Sequence, residues 1–246
     1  SGEKRQDELI EALLGVNKNL VLVLLSGNAV EMPWVSRVPA IVQGWYLGSM
    51  GGKSLADILS GAVNPSGKLP FSFPAKLTDC GAHAFDELSY PGDSIKQEYK
   101  EDILVGYRWH DTKKIPALFP FGHGLSYTTF TYGKPMASAK AMAADGMLTV
   151  TVAVKNTGSI AGKEIVQLYV KDLTGSAIRP VKELKHFAKV ALAPGEEKSV
   201  TFTLTPDDLK FYDEASAAWK YEPGKFKAYV CASSADIRGV VSFEMQ

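Results

Sequence analysis

The 246-residue sequence lacks an excess of charge of either sign: 27 basic residues are matched by 27 acidic ones. A neutral chain has no bulk attraction for nucleic acid or an anionic membrane surface, so neither is expected as a partner. Long apolar runs are also missing. The longest, Leu20 to Leu25, falls far short of the ~20 residues that cross a bilayer, and its length suits a strand buried on both faces. Cysteine is scarce. Cys80 and Cys231 form no CxxC pair, and His83, His110, His123 and His186 lack the spacing of metal ligands. No metal or other cofactor is expected, and the two cysteines are expected as free thiols because they fall in what read as different domains. No leader segment opens the chain, which carries little weight, since the first residues read as the inside of a longer arrangement.

Apolar residues are abundant, at 46%, and supply real cores; the length suits one large domain or two ordinary ones. The chain is organised around Tyr99 to Phe130, which is dense in aromatics and ends in Phe119-Pro120-Phe121-Gly122-His123-Gly124-Leu125-Ser126-Tyr127. Before it, helix and strand alternate. Leu9, Ile10, Leu13 and Leu14 have helical spacing within Arg5 to Val16, Leu20 to Leu25 and Ala40 to Tyr46 read as strands, and Ser54 to Leu59 reads as a second helix. That order predicts an α/β layer with parallel strands. Ala75 to Gln97 is polar and aperiodic and reads as a long surface loop. After the aromatic stretch the period changes to two. Leu148 to Val154, Glu164 to Lys171, Lys185 to Leu192, Ser199 to Leu204, Lys225 to Cys231 and Val240 to Phe243 read as strands separated by Pro-Gly and Thr-Pro-Asp turns. About seven short strands predict an antiparallel β-sandwich. The expected division is residues 1–98, a seam at 99–135, and a sandwich at 136–246.

Several of these phrases resemble one family. Trp45-Tyr46-Leu47-Gly48, Asn64-Pro65-Ser66-Gly67-Lys68-Leu69-Pro70-Phe71-Ser72-Phe73-Pro74, Val105-Gly106-Tyr107-Arg108 and Phe119 to Phe130 are similar to the C-terminal part of family 3 glycoside hydrolases, the β-glucosidases and β-xylosidases. Leu192-Ala193-Pro194-Gly195-Glu196 and Glu222-Pro223-Gly224-Lys225-Phe226 resemble that family's fibronectin type III-like domain. The resemblance implies the end of an α/β sandwich domain followed by an immunoglobulin-like β-sandwich. It also implies an exo-acting, retaining β-glycosidase of terminal β-linked sugars, most of all a β-glucosidase, without a cofactor. Its partners would be a β-linked oligosaccharide or glycoside and an N-terminal (β/α)8 barrel. Family members that act on plant glycans are commonly secreted or periplasmic, and that location is expected here. The alternative is a non-catalytic module that binds carbohydrate or protein or stabilises an assembly.

Retaining hydrolysis needs two carboxyl groups about 5 Å apart. By the resemblance the nucleophile lies on the barrel, and the acid/base Glu falls just before residue 1, because Ser1-Gly2-Glu3-Lys4-Arg5 aligns with the segment that follows it. No catalytic carboxylate is therefore expected in these residues; Glu3, Glu8 and Glu11 read as exposed or first-turn helix carboxylates. Ligands of open α/β sheets collect beyond the carboxyl ends of the strands, here Ser26 to Trp34 and Trp45 to Gly52. Trp34 and Trp45 are candidates to stack on a sugar ring, against core packing as the plainer account. Glu98, Glu101 and Asp102 cluster ahead of Arg108 and His110, and Glu101 and Arg108 are candidates for shaping the site or tying the seam. The family carries Gly where this chain has Asp102. His123 and Ser126 make no triad, because no acidic partner or nucleophile elbow accompanies them. Gly48, Gly51 and Gly52 fit neither phosphate-loop pattern and read as close packing. Tyr169, Phe187, Tyr212, Trp219 and Tyr229 are expected on the inner faces of the two sheets.

Overall fold

The computed structural model describes residues 2–246, with side chains from Arg5 onward; the side chain of Glu3 lies outside the described set. Helix α1 spans Gly2–Val16. Ile10 and Leu14 turn toward a core with Met32, Trp34, Val38 and Phe73, whereas Leu9, Leu13 and Val16 face outward. Strands β1 (Val21–Leu24) and β2 (Ala40–Gln43) pair in parallel, Val21 opposite Ala40 through Leu24 opposite Gln43. β1 is only half-buried, contrary to the expectation of burial on both faces. Among the described residues the layer has two strands, so Val21 and Leu25 stay open, the latter at 63%. β2 is shorter than its apolar pattern suggests because Trp45 adopts a left-handed φ of 55° and turns the chain out of the strand. Helix α2 (Gly51–Leu59) starts three residues before the expected Ser54, with Gly51 against Leu47.

Residues 69–73 run antiparallel to 119–123. Phe73 and Phe119 exchange backbone hydrogen bonds of 2.7 and 3.2 Å, Leu69 N donates to His123 O, and Gly122 N donates to Leu69 O. This ladder fastens the aromatic stretch to the α/β layer. The segment 75–97 is irregular apart from two single 3-10 turns. It lies over helix α3 (Tyr107–Lys113), where Phe85 packs edge-on to Trp109 and the Trp109 indole donates to Asp79 O at 3.0 Å.

Short strand β3 (Phe130–Tyr132) falls inside the expected seam of 99–135 but pairs with the sandwich, and β4 (Met136–Ala137) and β5 (Ala141–Met142) follow it. The long strands are β6 (Leu148–Asn156), β7 (Gly162–Asp172), β8 (Glu183–Leu192) and β9 (Glu197–Leu204). A one-turn helix α4 (Pro206–Leu209) carries a capping box between Thr205 and Asp208. A detached hairpin, β10 (Phe211–Asp213) with β11 (Ala218–Lys220), precedes β12 (Gly224–Cys231) and β13 (Ile237–Met245). One sheet has the order β5-β13-β12-β7-β8; in the other, β6 is flanked by β3 and β4 on one side and β9 on the other. In β6, Leu148, Val150, Val152 and Val154 all point inward, as a period of two requires.

The aromatic expectation fails at all five positions. Tyr229 alternates with Phe226, Ala228 and Val230, which fill the core, and so lies on the outer parity opposite Tyr169. Phe187, Tyr212 and Trp219 are exposed. Tyr212 and Trp219 sit on the hairpin, which belongs to neither sheet, and Phe187 lies on the outer parity of an edge strand. Tyr169 is fully buried but on the seam side, opposite in parity to Leu168 and Val170 in the sandwich core. Cys80 and Cys231 are free thiols, and burial pushes the Cys231 thiol up to about 12.

Candidate functional site

Because β1 and β2 are parallel, their carboxyl ends open on the same edge, and the two loops there touch. Gln43 Nε2 donates to Ser26 Oγ at 3.1 Å and to Ser26 O at 3.3 Å, and Gly44 N donates to Leu24 O at 2.7 Å. Tyr46 lies across Gly27, where a Cβ would meet the phenol oxygen at 2.8 Å, and the residue as a whole is 84% exposed. The aromatic at this rim is therefore Tyr46, a residue the sequence reading passed over. The signal for it was present: in a strand end of the form Gly-Trp-Tyr, the ring that packs and the ring that faces out must differ when the backbone turns between them.

Trp34 and Trp45 are placed differently. Trp34 is 2% exposed, inside the α/β core, and its indole donates to Asp7 of α1 at 2.8 Å. It presents no face to a sugar. Trp45 is half-buried, edge-on to Phe71 at 5.2 Å and to Phe73 at 6.0 Å. Its left-handed backbone costs about 1–2 kcal/mol, which this aromatic cluster offsets. Glu31, the single carboxylate on the two rim loops, accepts from Leu77 N at 2.6 Å and ties the long loop down.

The carboxylates ahead of α3 do not converge. Glu98 pairs with Lys96 at 2.7 Å and Lys100 at 3.3 Å, and these ammonium groups hold its carboxyl below the usual range. Glu101 is buried beside Gly81 and Trp109, with one carboxylate oxygen free of any hydrogen bond among the described residues. Asp102 sits at a φ of 56°, in the left-handed region that glycine favours. Arg108 reaches Glu183 of β8 at 3.3 Å. Burial raises the Glu183 carboxyl, but Lys185, Arg179 and Arg108 together bring it below the usual range. His110 Nδ1 lies 2.9 Å from Ile115 O.

His123 and Ser126 also stay apart. Ser126 Oγ donates to Asn64 Oδ1 at 2.9 Å, while His123 stacks on Phe119 and burial lowers its pKa. Glu98, Glu101, His123 and Ser126 are thus each engaged with different neighbours. The described residues build a rim and a braced seam.

The bracing is dense. Gln167 Nε2 donates to Gly122 O and Ala232 O, and Tyr169 OH donates to Gln167 Oε1 at 2.6 Å. Lys68 bridges to Glu164 at 3.0 Å, Lys182 binds Asp111, and Leu184 N donates to Tyr107 OH at 2.9 Å. The α/β layer is thereby held against the sandwich through buried polar groups that are mutually satisfied.

Comparison with known proteins agrees with this layout. A model described as the glycosyl hydrolase family 3 C-terminal domain matches residues 2–127, and a fibronectin type III-like domain matches residues 164–234. β-Glucosidase BoGH3A of Bacteroides ovatus is 67% identical over 97% of this chain and 32% of its own length. Thermostable β-glucosidase B of Acetivibrio thermocellus is 49% identical over 95% of the chain and 30% of its own length. Among solved structures, a β-glucosidase from Kluyveromyces marxianus in complex with glucose superposes with a TM-score of 0.91 at 40% identity, covering 98% of this chain and 28% of that one. The chain thus spans about 30% of the length of the curated relatives it matches.

Proposed function

We propose, because the chain belongs to glycoside hydrolase family 3, that it forms the C-terminal part of a retaining, exo-acting β-glucosidase and acts together with a catalytic barrel. The observation that carries the reading is the open side of the α/β layer. Val16, Val21, Leu25 and Tyr46 are exposed around a two-stranded parallel sheet. Parallel sheets are ordinarily covered on both faces, and contiguous exposed apolar surface marks a place where another segment docks. With further strands and a barrel set against it, the edge at the carboxyl ends of β1 and β2, with Tyr46 and Trp45, would border the sugar. Both catalytic carboxylates would come from outside the described residues, in keeping with their dispersed carboxylates. We extend the proposal to a secreted or periplasmic enzyme, which fractionation of the native host would check.

The test is hydrolysis of chromogenic β-glucoside and β-xyloside by the chain alone and mixed with a separately expressed family 3 barrel fragment that carries the catalytic loop. The expected result is turnover in the mixture only, with the glucoside preferred. Turnover by the chain alone would overturn the statement that its carboxylates are not catalytic. A folded chain that binds the barrel fragment and restores no activity would overturn the proposal.

A further inference from the structure

The hairpin β10–β11 stands outside both sheets and carries aromatics on both faces. Phe211 is half-buried, with the Arg179 guanidinium over its ring at 5.8 Å. Arg179 in turn donates to Leu209 O at 2.9 Å and pairs with Asp172 and Glu183 of the five-stranded sheet. That face anchors the hairpin to the sandwich. The turn is tied as well: Asp213 accepts from the Ser216 amide and hydroxyl and from Lys220 Nζ at 2.6 Å.

Tyr212 and Trp219, directly opposite each other in the register, occupy the alternate face. Their rings meet at 5.7 Å and 71°, and they are 51% and 65% exposed. Of the four tryptophans, Trp34 and Trp109 are buried and Trp45 is half-buried, so Trp219 alone offers an open indole.

We propose that Tyr212 and Trp219 form a binding platform for a β-linked glucose polymer or oligosaccharide. Three observations favour this occupant. The open aromatic area is roughly 250 Å², taking full ring burial as about 150–250 Å² each. A stable protein partner needs about 800 Å² per side, whereas one or two pyranose rings need no more than this. An indole face matches the apolar C–H face of a β-glucosyl unit, whose hydroxyls lie equatorially and stay in water. The platform is ordered in advance by the turn and by Phe211, so little entropy is lost on binding. The plainer account is that the pair stabilises its own hairpin, as cross-strand aromatics do. Directly opposed residues share a face in either case, so what a binding role adds is the use of Trp219, left 65% exposed. The choice of a β-linked glucan rests on the β-glucosidase reading; the platform does not.

The test is affinity electrophoresis of the folded chain in gels containing soluble mixed-linkage β-glucan or, as the control, dextran. The chain should be retarded by β-glucan and not by dextran. Trp219→Ala should weaken the retardation about tenfold or more, the loss of about 1.4 kcal/mol. Phe187→Ala, at an exposed aromatic of an edge strand, should leave it unchanged. If Trp219→Ala does not fold, iodide quenching of the native chain reads the same site, because cello-oligosaccharide should shield the one open indole. Absence of retardation, equal retardation by dextran, full retardation of a folded Trp219→Ala, or absence of shielding each overturns the proposal. A chain that restores activity to a barrel fragment yet ignores β-glucan overturns the platform and leaves the enzymatic reading standing; the reverse outcome does the opposite.

Discussion

Asn156 is fully buried and uses every polar atom of its side chain. Its Oδ1 accepts from Thr128 Oγ1 at 2.6 Å and Gly158 N at 3.0 Å, and its Nδ2 donates to Ile160 O and Leu192 O. Truncation to Ala would orphan four groups around one small cavity, so Asn156→Ala should lower unfolding free energy by about 2–3 kcal/mol, measured by urea denaturation. Asp102 makes the opposite kind of case. It occupies a left-handed conformation that glycine adopts freely. Asp102→Gly should leave stability within about 1 kcal/mol of the parent, whereas Asp102→Val, β-branched, should cost about 1–2 kcal/mol. A loss on introducing glycine as large as on introducing valine would show that the carboxylate, not the backbone, matters there.

At the scale of elements, the seam joins α3 to β8. Lys182 is buried, bonds Asp111 of α3, and stands 5.5 Å from the Tyr169 ring. Burial raises the Asp111 carboxyl even with this partner present. Lys182→Met keeps the volume and strands a partly buried carboxylate, at a cost of about 1–3 kcal/mol at pH 7. The sign with pH follows from the raised folded-state value: the folded form takes up the proton first, so the penalty should shrink as pH falls from 7 toward 5. A penalty independent of pH over that range would mean that lost packing of the lysine stem, rather than the orphaned charge, is responsible. Gly122 is required at the same joint. Its φ is +78°, and a Cβ there would overlap the Gln167 carboxamide.

For the whole molecule, the open side of the α/β layer separates stability from assembly. Leu25 is exposed in the chain by itself, so Leu25→Ser should alter its denaturation midpoint little, by less than about 0.5 kcal/mol. If that surface is covered in the active enzyme, the same substitution should weaken complementation of a barrel fragment several-fold, read as a raised half-saturating concentration of chain. Equal complementation by the parent and Leu25→Ser would remove this face from the interface.

The sequence by itself determined the order of the longer helices and strands and the layered architecture, because hydrophobic period is a local property: Leu148, Val150, Val152 and Val154 declare a strand face wherever they fold. Helices α3 and α4 and the short strands β3, β4, β5, β10 and β11 are too brief to show a period. It determined the parallel pair, the two free thiols' separation, and the family likeness carried by Asn64 to Pro74 and Phe119 to Phe130, of which residues 69–73 and 119–123 meet as one ladder. Only the tertiary structure decided which aromatics are core. Trp34, Trp45 and Tyr46 are near neighbours in sequence, yet a helix carboxylate captures the first, a left-handed turn drives the second into an aromatic cluster, and the third is left in water. Tyr212 and Trp219 look no different from Tyr169 in sequence. They are open because their hairpin joins neither sheet, and burial is set by what the fold brings alongside a residue rather than by the residue.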